Sequence, residues 1–221
     1  MKLFFTIFFL LESKAYAYID PASGTILSNI LVILLLPIFF KLQSLYQLAA
    51  SYFIIVSKRI NTKKNYDIVF HIENNIYYDL FEEIIEKSKH LNLLIISPKN
   101  NLIKFNRKNI TIITEEKLFY QLGISRFVRA NFFITSTPGL NTNYFHKNKK
   151  IKKYIHICHS SMDVHVYQIF SFDNFDFICC PTIHFQNNLI KLLKQRYGFC
   201  KPKIILTDLF YLNKKLTYKK E

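Results

Sequence analysis

A chain of 221 residues, half of them apolar, has room for one globular domain of ordinary size and a smaller segment beside it. Its net charge of +15 is unevenly placed, because residues 1–57 hold only Lys2, Lys14 and Lys41 against Glu12 and Asp20. The first part therefore reads as membrane segment and the rest as a basic soluble domain, a balance that suits an anionic partner or simply reflects a composition rich in Lys, Asn and Ile. Cys158, Cys179, Cys180 and Cys200 form no C-x-x-C pair, so neither a disulfide framework nor a zinc knuckle is signalled, and buried reduced thiols are expected.

The chain opens on "MKLFFTIFFLLESKAYAYID", an apolar stretch from Leu3 to Leu11 followed by Ala15-Tyr16-Ala17, a pattern signal peptidase cuts. Nine apolar residues reach only about 14 Å at helical rise, so residues 1–17 are expected to form a signal-like segment. Tyr18 to Gly24, "YIDPASG", resembles the "YIDPGTGS" start of small bacterial membrane proteins found alongside surface-polysaccharide genes, and also reads as an Asp-Pro turn before a helix. Residues 22–42 carry no charge before Lys41 and are predicted to span a membrane once. Lys41, Lys58, Arg59, Lys63 and Lys64 follow that span while Asp20 precedes it, which by the positive-inside bias predicts an inner-membrane protein with its domain in the cytoplasm. Residues 43–65 are expected as a juxtamembrane linker, with Leu45 to Val56 along the membrane interface.

From Tyr66 the pattern alternates. Short apolar runs, "DIVFHI", "LNLLIIS", "NITIIT", "ANFFITSTPG", "KYIHICHS", "FDFICCP" and "KIIL", read as strands. Between them, Tyr77–His90, Glu115–Leu122 and Gln186–Tyr197 carry helical spacing, the last closed by Gly198. This rhythm predicts an α/β fold over residues 66–212, a Rossmann-like parallel sheet with helices on both faces, preceded by the membrane helix and followed by a basic tail at 213–221. In such sheets ligands gather outside the carboxyl ends of the strands. Ser136, Thr137, Gly139, His159, Ser160 and Ser161 are thereby expected around one crevice, and no G-x-G-x-x-G or Walker A pattern calls for a nucleotide cofactor.

The residues from "YIHICHS" through "FDNFDFICCPTIHFQNNLIKLL" to "KIILTDLFYLNKKL" resemble the first Rossmann half of the CDP-glycerol glycerophosphotransferases. These are GT-B enzymes that build teichoic-acid-like surface polymers. The resemblance implies that His159 takes the place of the histidine acting as base on the acceptor hydroxyl, and that Phe175 and Asp176 match a strand start. Ser160 stands where the family has glycine, Thr207-Asp208-Leu209 replaces a glycine-containing turn, and no donor-binding half follows by Glu221. The implied partners are the bilayer, a lipid-linked acceptor, a CDP-activated donor and a separate donor-half polypeptide. The chain is thus expected to be a truncated or split transferase. A non-catalytic tethered module binding a partner protein or an anionic lipid-linked polymer is the alternative.

Three readings of His159 stay open on the residues alone. It is a polar strand end bonded to its loop, a base whose tautomer is fixed by Asp163, or a metal ligand near His156 and Cys158. The run "HKNKKIKK", His146 to Lys153, reads as a solvated loop or as a contact with anionic lipid or polymer, placed in the enzyme reading near phosphate with Ser136 and Thr137. His165 and His184 have no partner at a recognisable spacing. No aromatic platform points to nucleic acid.

Overall fold

The computed structural model describes residues 21–98, 107–142, 144–159 and 163–207. The signal-like segment, the basic tail, Ser160 and Ser161 lie outside the described residues. Helix α1, Pro21–Ser57, includes Pro37 and is long and apolar enough to cross a membrane. Ile33 and Leu34 are among its exposed side chains, at 68% and 64%. The chain divides between Tyr46 and Gln47 into two compact units.

The second unit begins with the last turns of α1, so the stretch expected as a linker is helical as far as Ser57. Gln47, Ser51 and Ile55 recur every four residues and are all buried, a stripe that faces the domain. After it come β1 (Asn65–His71), α2 (Tyr78–Lys87), β2 (Leu93–Ser97), β3 (Ile110–Thr114), α3 (Leu118–Ile124), β4 (Arg129–Thr135), β5 (Ile151–Ile157), β6 (Phe177–Cys180), α4 (Ile183–Tyr197) and β7 (Lys203–Leu206). All seven strands pair in parallel in the order β3-β2-β1-β4-β5-β6-β7. The fold is α/β and Rossmann-like.

Period-two alternation sends neighbouring side chains to opposite faces. Val69, Leu94, Ile96, Phe133 and Tyr154 form one core with Ile55, Leu122 of α3 and Leu189 of α4. Phe70, Leu93, Ile95 and Ile134 form the other, beneath Phe81 and Ile85 of α2. Both faces of the sheet thus carry helix, the second through α2 alone among the described residues. Phe132 of β4 and Ile205 of β7 remain 40% and 38% exposed.

The element ends have local causes. Thr182 accepts the Phe185 N–H at 3.1 Å and caps α4, and Gly198 closes it in the left-handed region at φ 76°. The run "ANFFITSTPG" leaves the sheet at Thr135, before the expected end at Gly139. There the Thr137 N–H turns to the Thr135 side chain at 3.0 Å, and Pro138 has no N–H to offer. Gly139 then adopts φ 81°, and an added Cβ would lie 2.7 Å from Thr142 Oγ1.

Candidate functional site

The strands reverse direction of travel between β1 and β4, since the chain runs outward from β1 to β2 and β3, and from β4 to β5, β6 and β7. Such a switch point opens a crevice at the carboxyl ends of the two strands. His71 and Thr135 pair at the ends of β1 and β4, and His156 of β5 pairs with Thr135. This places a buried polar row across three neighbouring strands.

His71 is fully buried, with Nδ1 2.8 Å from Thr135 Oγ1 and Nε2 2.9 Å from Gln121 Oε1. The Gln121 amide nitrogen donates to the Glu115 carbonyl at 2.6 Å, which leaves its oxygen to accept from His71 Nε2–H. Nδ1 is then the acceptor, and the ring is neutral. Burial lowers the His71 pKa to about 4, against an upward pull from Gln121.

His156 is equally buried, set against the rings of Phe172 and Phe175 at 5.3 and 5.1 Å. Neither of its nitrogens completes a hydrogen bond of normal geometry. Burial first, and the neighbouring His159 second, push its pKa down to about 3, with the Thr137 main chain opposing them.

His159 follows β5 and is half-buried, its ring 4.1 Å from that of Tyr77 at an interplanar angle of 40°. Its Nδ1 is buried without a partner. Asp163 does not fix it as expected. That carboxylate caps the short helix Val164–Val166 by accepting the His165 N–H at 3.0 Å, because the chain turns immediately after it.

Of the other expected residues, Ser136 is buried with an unpartnered Oγ, and Thr137 donates to Glu73 Oε2 at 2.6 Å. Gly139 serves the turn instead, its N–H bonded to the Ser171 carbonyl at 2.8 Å. Glu73, His71, Gln121 and Tyr77 were not read as site residues from the sequence, and His156 was read only as a companion of His159 in a metal site. The signal for the first two was in "HIENN", where a histidine and a carboxylate close the strand that borders the switch point.

The basic run "HKNKKIKK" enters β5 at its amino end and does not share the crevice with Ser136 and Thr137. A seven-residue strand separates the two by about 20 Å. Within the run, Asn148 is buried and donates to the Ser125 and Val128 carbonyls at 2.9 and 2.8 Å. Lys153 and Lys147 lie 3.1 and 3.8 Å from Asp176, whose other bond is from the Tyr154 N–H at 2.9 Å. Burial would raise the Asp176 pKa, but the Tyr154 N–H and the two lysines outweigh it and hold the carboxyl below its usual range. Asp176 therefore has the role of tying β5 to β6.

Among the described residues, no three His, Cys, Asp or Glu side chains converge as a metal site requires. The cysteines are all free; burial pushes the Cys179 thiol up to about 11, while the Cys180 side chain bonded to Cys158, and burial after it, hold the Cys158 thiol well above its ordinary value. A cavity of about 140 Å³ lies against α4, lined by Tyr167, Phe172, Leu189, Leu193 and Arg196 among others. None of the crevice residues lines it, and Arg196 is already paired with Asp173 at 3.2 Å. No family model, curated protein or solved structure matches this chain.

Proposed function

We propose that this chain is the acceptor-holding half of a membrane-anchored, two-lobed transferase of the CDP-glycerol glycerophosphotransferase type, acting in the synthesis of a surface polymer. The observation that supports it best is His159, half-buried at the carboxyl end of β5, with a ring nitrogen unengaged by the protein. An imidazole in that position takes the proton from an acceptor hydroxyl as the oxygen attacks the donor's glycerol-bearing phosphorus, whose phosphoanhydride bond breaks to release CMP. Such a base contributes about 10²-fold to 10⁴-fold, so charge neutralisation and positioning of the activated donor fall to another lobe. In this reading α1 is a single inner-membrane span, the domain faces the cytoplasm and the acceptor is lipid-linked.

A test supplies the full chain in membranes with a lipid-linked acceptor and CDP-glycerol, with and without proteins that co-purify from the native membrane. Transfer is expected only when a donor-holding partner is present, and His159→Ala is expected to lower it at least 10²-fold. Transfer that survives this substitution unchanged would remove His159 from the reaction. The second reading, a non-catalytic tethered module, draws on the exposed Lys149, Lys150 and Lys152 at the amino ends of the strands, a surface suited to an anionic lipid-linked polymer. Polymer binding without transfer under any pairing would favour it.

A further inference from the structure

The loops that leave the carboxyl ends of the strands bring Glu73, Glu115, Glu116 and Asp163 to one side of the sheet. Among the described residues that directly follow those ends the only Lys or Arg is Lys117, after β3. Lys58, which donates to the Thr114 carbonyl, reaches the same strand. β3 is separated from β1 by β2, about 10 Å from the switch point. The segments that enter the strands carry most of the cations, with Lys63, Arg107, Arg126, Lys149 and Lys201 among them, although Asp173 and Asp176 precede β6.

Glu73 sits where this charge pattern matters. It is half-buried, it holds the Thr137 hydroxyl at 2.6 Å, and no ion pair to it is present among the described residues. A carboxylate offers about four lone-pair sites, so most of its accepting capacity is open. Ser136 Oγ, His159 Nδ1 and both nitrogens of the fully buried His156 also lack a well-formed hydrogen bond. A buried polar group left unsatisfied is destabilising, so several in one neighbourhood point to a guest that supplies hydrogen bonds.

We propose that the crevice between β1 and β4 binds the hydroxyl groups of an uncharged polyol, anchored by Glu73, and does not bind phosphate. A hydroxyl both donates and accepts, so adjacent hydroxyls satisfy an acceptor-only carboxylate and a serine or imidazole together. A phosphate offers mainly acceptors and negative charge. Beside Glu73 it would meet like-charge repulsion, with no cation among the described residues at the switch point to offset it. The inference rests on the reading of the crevice as an acceptor site and assigns Glu73 the role of choosing the substrate class.

The test uses the full chain in lipid nanodiscs with ¹³C-labelled histidine, titrated by NMR with glycerol and separately with inorganic phosphate at equal pH and ionic strength. Glycerol is expected to shift the His156 and His159 signals to saturation, and phosphate to leave them in place. Glu73→Gln is expected to weaken the glycerol response at least tenfold, as is Thr137→Val, while Glu116→Gln leaves it unchanged. Unaltered His146 signals in each variant certify that the fold is kept. Saturable shifts by phosphate, or a glycerol response indifferent to Glu73→Gln, would overturn the proposal. The assay contains no donor, so a saturable glycerol site in a chain that never supports transfer would refute the transferase reading alone, and transfer without such a site would refute this one alone.

Discussion

His71 and His156 hold their place in the core only as neutral rings. Both have folded pKa values, about 4 and about 3, below the ordinary value of 6.5, so between those limits the unfolded chain binds more protons than the folded one. Stability is therefore complete above about pH 6.5 and declines as pH falls toward the folded values. For His71 the shift corresponds to roughly 3 kcal/mol at full expression. The urea midpoint is expected to drop steeply from pH 7 to pH 4.5, and His156→Phe should flatten that slope by removing one of the two rings that must be charged. An unchanged slope would mean that His156 is reached by protons in the folded state. His159, by contrast, was legible in the sequence as a polar residue closing an apolar run. That its Nδ1 is left without a hydrogen-bond partner was not, because Asp163 is close in sequence and yet its carboxylate accepts the His165 N–H.

Among the elements, the approach of α1 to α3 turns on a single missing side chain. A Cβ on Gly123 would stand 1.9 Å from Ser51 Oγ and 2.9 Å from Ser51 Cβ. Gly123→Ala is thus expected to push the Gln47–Ser57 turns off the domain and to destabilise it by about 1–3 kcal/mol, measured by denaturation and by faster proteolysis after Ser57. Gln47 gives the same contact a polar anchor, donating to the Phe119 and Tyr144 carbonyls at 2.7 and 3.2 Å. At the other end of the fold, Thr182→Ala removes the cap of α4 and should cost about 1 kcal/mol. The strands and α4 could be placed from periodicity and capping residues. The docking of Gln47, Ser51 and Ile55 could not, because a four-residue stripe inside a helix apolar nearly all round carries no contrast to mark which side is covered.

At the scale of the whole molecule, most of the described cations at the sheet edges lie where strands begin, alongside Asp67, Asp173 and Asp176, while Glu73, Glu115, Glu116 and Asp163 lie where strands end. Replacing Lys149, Lys150 and Lys152 together with Gln is expected to reduce binding of the reconstituted chain to a polyanion such as heparin several-fold, with a shallower salt dependence, and to leave the glycerol response of the crevice as it was. Loss of both would show that the two edges are coupled. The apolar surface of α1 carries its own expectation, since a helix with this many exposed aliphatic side chains should keep the full chain in the membrane fraction through high-salt and carbonate washes.

The alternation of apolar runs with amphipathic stretches determined an α/β sheet of parallel strands, and one long uncharged run determined a helix able to cross a membrane, because both follow from where apolar side chains recur along the chain. Tertiary structure alone decided which strands are neighbours. That order brings β1 beside β4 although β2 and β3 lie between them in the chain, joins Glu73 to Thr137 and His71 to Gln121, and sends the basic run to the opposite edge from the crevice. No spacing in the sequence encodes such contacts, because they are fixed by strand order and by the burial of two faces at once.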